Sequence, residues 1–211
     1  MTETSSEFAK LERALVEAGG LLADLPMHDV GDRLNQLKLK SHVLLCHAAI
    51  EEYLEKISLA VLWESLKAYE EDGMIRDPLL SACSYYKIVL SDENASRQNG
   101  ELIHNILLSV FQKAIVKHSL ALDTVHGIKT KDQQAILLPI GVNLFEFDRV
   151  LSQNLNLYGG IRGMYAHGFG FQTINPRAAQ ESTVWNLFRL LLELDNLLCS
   201  RYKMAYQTFL P

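Results

Sequence analysis

Residues 143–171 read NLFEFDRVLSQNLNLYGGIRGMYAHGFGF, and the recurrence of their apolar side chains decides the fold class. Leu144, Phe147, Leu151, Leu155 and Tyr158 return at steps of three and four, the period of a helix with one apolar face. The same count lands next on Arg162 and then on Tyr165. A guanidinium therefore projects from the apolar stripe, where a charge is costly unless it meets a carboxylate, a phosphate or water. His167 lies five residues beyond Arg162, about 140° around the axis of an unbroken helix. The two side chains share a target only if the helix loosens near His167 or a second copy of the chain supplies the missing half. Gly168 and Gly170 are helix-ending residues, and Gly159, Gly160 and Gly163 lower helix propensity just upstream. Close approach by a ligand or another backbone accounts for these glycines, and so does a plain helix end.

Outward from this stretch the chain keeps the helical period. Phe8, Leu11, Leu15, Ala18, Leu22 and Leu25 predict a first helix over about 8–24. Leu39, Val43, Cys46, Ile50, Leu54, Ile57 and Val61 predict a second from Asp32 to about Asp72, roughly 60 Å long unless a bend splits it near Lys40. Gly73 and Pro78 stop it. Residues 73–100 are the least regular: Asp77 and Pro78 read as a turn, Tyr85 to Leu90 as a short strand or helix, and Ser91 to Gly100 as a polar loop. Leu102, Ile106, Val110 and Ala114 mark a helix ending near His118, and a short one follows from Lys131 to Leu138. The helix carrying Arg162 is expected to begin at about Asn143. Beyond it Asn175 reads as a cap and Pro176 as a first-turn proline. Val184, Leu187, Leu191, Leu194, Leu198, Tyr202, Ala205 and Phe209 give the last helix a narrow seam suited to antiparallel neighbours. The expected architecture is an all-α helical bundle, one domain over 1–211 with its core at about 35–205.

Composition narrows the function classes. A chain of 211 residues buries roughly two-thirds of its unfolded surface and needs no covalent staples. Cys46, Cys83 and Cys199 are few and odd in number, and no secretory signal stands at the N-terminus, so a reducing cytoplasm is expected. The longest apolar run, Val43 to Trp63, is interrupted by His47, Glu51, Glu52, Glu55 and Lys56, which excludes a bilayer span. A formal charge of −5 argues against a broad duplex-binding surface. A small basic pocket for one or two phosphates remains compatible with it.

On residue types alone, Arg162 and His167 are more readily a salt-bridged arginine and a histidine capping terminal carbonyls than a catalytic pair. His47 and Glu51 stand four apart, a spacing compatible with metal ligation, but a helix-surface hydrogen bond explains one such pair better. Glu51 or Glu52 is also placed to orient Arg162. His42, His104, His118 and His126 have no companions at metal-site spacing and read as surface or capping residues. No HExxH, paired CxxC, GxSxG or Walker loop is present, which disfavours metallohydrolase, serine hydrolase and P-loop classes.

RGMYAHG at Arg162 to Gly168 resembles the R-x(4–6)-H signature of the HEPN superfamily. KLKSHVLLCHAAIEEYLEKIS at Lys38 to Ser58 is similar to the long second helix of the RiboL-PSP type of HEPN domain. LLPIGVNLFEFDRVL at Leu137 to Leu151, followed by YGGIRG and an Ala-His pair, is similar to the same branch. The likeness reverses the odds for Arg162 and His167. It implies a metal-independent endoribonuclease, commonly a toxin or antiviral effector, with no cofactor and no metal. Two protomers would bring their signatures together across a homodimer interface. The 2′-hydroxyl of single-stranded or loop RNA would attack its own phosphate to leave a 2′,3′-cyclic phosphate. An antitoxin or sensor is the further partner implied. Gly163 departs from the many members that carry Asn, Asp or His after the arginine, which leaves Tyr165 as a supporting candidate beside His47 and Glu51. The competing reading is a non-catalytic helical module that binds a nucleotide or a partner protein, and a third is an antitoxin-like or immunity protein.

Overall fold

The computed structural model describes residues 4–89, 103–167, 174–202 and 204, apart from the side chain of His167. Among the described residues there are eight α-helices and no strand: α1 Ser6–Gly19, α2 Arg33–Asp72, α3 Asp77–Tyr85, α4 Ile103–Leu122, α5 Thr130–Leu137, α6 Leu144–Phe147, α7 Arg149–His167 and α8 Arg177–Tyr202. Short 3-10 turns follow α1 and α5. No described helix is long and apolar enough to cross a membrane.

The bundle is assembled on α2, which runs 40 residues without a break through Lys40. The Asp32 carboxylate starts it by accepting the Asn35 N–H at 2.9 Å, and Gly73 ends it in the left-handed conformation, φ 67°. Its buried residues include adjacent pairs, such as Cys46 with His47, Tyr53 with Leu54 and Val61 with Leu62. Adjacent residues lie 100° apart on a helix, so the buried arc is broad, and α1, α4, α7 and α8 all pack on it. Each fully buried Leu or Ile in that arc contributes about 1.5–3 kcal/mol relative to exposure. The N-terminal helix is fastened by polar contacts. Ser5 caps it by accepting the Phe8 N–H at 3.0 Å, while Asp195 of α8, fully buried, accepts the Ser5 N–H at 2.8 Å and the Tyr53 hydroxyl at 3.1 Å.

Several boundaries differ from the sequence expectation. The first helix is regular only to Gly19, and Gly20–Leu22 tightens into the 3-10 turn. Asp77 and Pro78 begin a helix rather than a turn: proline fits a first helical position, whose N–H has no partner in any case, and Leu79 and Ala82 then reach the core. Of the short strand or helix suggested over Tyr85 to Leu90, Tyr85 ends that helix and residues 86–89 leave it irregularly, while residues 90–102, including all of the expected polar loop, lie outside the described residues. Helix α4 continues past His118 to Leu122. The helix expected from Asn143 is two helices, because Asp148 is extended at φ −145° and caps α7, accepting the Leu151 N–H at 2.9 Å. Phe147 is consequently off the stripe and exposed. Pro176, not Asn175, supplies the carbonyl that receives the first-turn N–H groups of α8. The last helix is described to Tyr202, and Ala205 and Phe209 lie outside the described residues.

Two of the histidines read as surface or capping residues are buried. His42 places Nδ1 3.0 Å from the Gln180 side-chain oxygen. His118 sits between the Ser58 hydroxyl and the Tyr86 hydroxyl, each at 2.9 Å. Their partners lie far away in the chain, which local spacing does not reveal.

Candidate functional site

Helix α7 presents two faces around Arg162. Leu151, Leu155, Tyr158 and Tyr165 are buried towards α2 and the rest of the core. Arg162, half-buried at the edge of that stripe, opens into a cleft of about 510 Å3 lined by His47, His126 to Lys129, Asp132, Gly159, Gly160, Gly163 and Met164. The cleft is therefore walled by α2, α7 and the connection from α4 to α5.

That connection is held by buried polar contacts. Gln133 of α5 donates from Nε2 to the carbonyls of Ile128 at 2.8 Å and Ser152 at 3.0 Å, and its oxygen accepts the Ser152 hydroxyl at 2.6 Å. Asn156 of α7 accepts both the backbone N–H and the hydroxyl of Thr130, each at 3.3 Å. Asp132 accepts the Lys129 N–H at 3.1 Å, and a Cβ at Gly127 would come within 2.7 Å of the same carboxylate, so a larger residue there would have to push the Asp132 side chain aside. The result is a loop pinned against α7.

Gly159 belongs to this arrangement. A Cβ there would lie 3.0 Å from Cγ of Lys129 and 3.4 Å from Cγ1 of Ile128, and one at Gly163 would be 4.0 Å from the Lys129 Nζ. The Lys129 side chain thus lies along a track without side chains and brings its ammonium to the turn that bears Arg162. Sequence reasoning missed Lys129 because nothing local to KTKD marks it. The glycines of α7 were the available signal, but close approach by a ligand or another backbone and a plain helix end accounted for them equally, and neither named a side chain.

His47 and Glu51 meet as their spacing suggests, Nδ1 to carboxylate oxygen at 3.4 Å, and among the described residues no third metal-binding side chain joins them. Burial pushes the His47 imidazole down to about 4, aided by the positive charges of Arg162 and Lys129. The ring is neutral at pH 7, so the contact with Glu51 is not an ion pair, and one of its ring nitrogens carries a lone pair. Burial raises the Glu51 carboxyl above its usual range, against the opposing pull of Arg162, His126 and a hydrogen bond from the Gly127 N–H. Glu51, and not the exposed Glu52, is the carboxylate that shares Arg162's surroundings.

The sequence-derived candidates separate as follows. Arg162, His47 and Gly163 line one cleft, with Glu51 behind His47. Tyr165 is buried instead, accepting the Asn175 N–H at 3.4 Å beneath Lys40, whose ammonium is 5.9 Å from the ring centre. Its place is in the packing of α7 against its neighbours, not in the cleft. His167 is the last residue of α7, and its side chain lies outside the described residues. Two cations, a neutral imidazole and a carboxylate in one open cleft can bind an anion and accept a proton from a group held beside it.

The family described as RiboL-PSP-HEPN matches residues 7–200. Neither a curated protein nor a solved structure matches the chain.

Proposed function

The chain belongs to the RiboL-PSP-HEPN family, and from that premise we propose that it is a metal-independent endoribonuclease with Arg162 and His167 as its catalytic residues. The family is generally associated with RNase function, and some members are non-catalytic, so the assignment rests on what this chain places around its own signature. The observation that carries it is Arg162, a guanidinium that leaves the apolar stripe of α7 for an open cleft holding a second cation.

RNA brings its own nucleophile. The protein has to take the proton from the 2′-hydroxyl, steady the charge that builds on the phosphate oxygens, and return a proton to the departing 5′-oxygen. Arg162 offers paired donors to those oxygens. His167 supplies an imidazole, the side chain most often used to take up and return protons in such a step. The products are a 2′,3′-cyclic phosphate and a 5′-hydroxyl, and DNA resists because it lacks the attacking hydroxyl.

A homodimer is part of the proposal. Helix α7 is unbroken to His167, which keeps the two signature residues about 140° apart around one axis and favours a second copy as the source of the missing group. Val150, Leu157 and Met164 support the same reading, because they recur at intervals of seven along α7 and are each more than half exposed. Nothing lies within 4 Å of a Cβ built at Gly160, on the same helix. A two-fold pairing along this seam would bring two copies of the signature together.

Single-stranded RNA incubated with the protein in EDTA should be cut, and Arg162→Ala and His167→Ala should each lower the rate by about 100-fold or more. Mixing the two inactive variants should restore part of the activity if each cleft draws on both protomers. Cleavage that survives both substitutions would end the assignment. As a toxin or defence effector the protein should arrest growth on expression, with relief by either substitution. The acidic composition and Gly163 favour the second reading, a non-catalytic module that binds a nucleotide or partner; it predicts RNA or nucleotide binding with no cleavage for His167→Ala to remove.

A further inference from the structure

The cleft holds a cation that the two-residue signature does not include. We propose that Lys129 is a second phosphate-contacting residue of the ribonuclease site, seated beside Arg162 by the side-chain-free track of Gly159 and Gly163. The inference rests on the ribonuclease reading above.

Three independent features place it. The loop bearing Lys129 is fixed by the buried Gln133 to Ile128, Ser152 and α7, so the residue leaves a rigid base although its tip is exposed. Its aliphatic stem passes over Gly159 at a distance that a Cβ there would crowd, 3.0 Å, and its ammonium ends 4.0 Å from where a Cβ of Gly163 would be. Lys129 and Arg162 line the same cleft, and both charges act on His47. The nearest carboxylate in its own turn, Asp132, accepts the Lys129 backbone N–H. Two cations that face one cleft from α7 and the adjoining loop favour an anion bound between them, and a phosphodiester with two non-bridging oxygens is an anion of suitable shape. Arg162 would hold those oxygens through its planar fork, and Lys129 would add a point charge that strengthens as negative charge accumulates on phosphorus. No proton or bond changes at Lys129.

The test separates binding from cutting. Binding of a 2′-O-methyl single-stranded RNA, which carries the phosphates but no attacking hydroxyl, is followed by fluorescence anisotropy over a salt series. Lys129→Gln should weaken binding several-fold at low salt and reduce the slope of log K against log salt by about 0.7–1. Lys131→Gln, the same charge change on an exposed residue outside the cleft, should change the slope less. With cleavable RNA, Lys129→Gln should lower kcat by about 10- to 100-fold, Lys129→Arg should retain most of it, and Gly159→Ala, which displaces the stem, should fall between. Melting curves confirm that each variant is folded. Binding and cleavage by Lys129→Gln equal to the wild type, with Arg162→Ala still impaired, overturn the role of Lys129 and leave the ribonuclease reading standing. A wild-type protein that neither binds nor cuts RNA removes both.

Discussion

His47 is neutral for reasons that come from three different elements: burial within α2, the guanidinium of Arg162 on α7 and the ammonium of Lys129 between α4 and α5. A nearby positive charge disfavours the imidazolium, so removing one raises the imidazole value. In an NMR titration the His47 ring should therefore titrate at higher pH in Arg162→Ala than in the wild type, moving from about 4 towards the ordinary 6.5. An unchanged value would mean that Arg162 does not face this cleft. His118 makes a related test without nearby charge, because burial alone holds it down at about 4. The folded-state value is below the unfolded one, so protons bind preferentially to the unfolded chain as pH falls. Stability is complete above about 6.5 and declines between about 6.5 and about 4. Chemical denaturation across that window should show a shallower pH slope for His118→Gln, whose side chain takes up no proton as pH falls.

At the scale of elements, the site depends on how α7 begins and what lies along it. Asp148 interrupts the apolar stripe, separates α6 from α7 and caps the latter. Asp148→Ala should cost about 1 kcal/mol in global stability, read from the urea midpoint. Losing Ser152 or Gln133 would act differently, since their mutual hydrogen bonds tie α5 and the Lys129 loop to α7. Ser152→Ala leaves the buried Gln133 oxygen without that hydroxyl and should cost about 1–3 kcal/mol, measured in the same way. The period-three-and-four pattern found every long helix in the described residues, but it ran through Asp148 as though the chain were continuous. A capping carboxylate three residues before Leu151 was the local signal for the break.

For the molecule as a whole, Asp195 joins three parts of the chain in one buried cluster: the start of α1, Tyr53 in the middle of α2, and Cys199 one turn along α8. Asp195→Ala would orphan the Ser5 N–H and the Tyr53 hydroxyl, each at about 1–3 kcal/mol. The expected outcome is a loss of several kcal/mol in thermal or urea unfolding, with faster hydrogen exchange across α1 than elsewhere. The second buried tie, His42 to Gln180, fixes α2 against the start of α8. Together these contacts tie α1 and α8 to α2.

The sequence by itself determined the helical class, the long central helix and the stretch carrying the signature, because apolar period, caps and glycines act through neighbours a few residues away. It also marked Arg162 as a charge out of place on an apolar stripe. Tertiary structure decided that His42 and His118 are interior, that Tyr165 packs, and that His47, Lys129 and Arg162 share a cleft. Those outcomes depend on contacts between residues far apart in the chain, which packing forms only once the helices have met, and no local period encodes which distant side chain fills the space a glycine leaves.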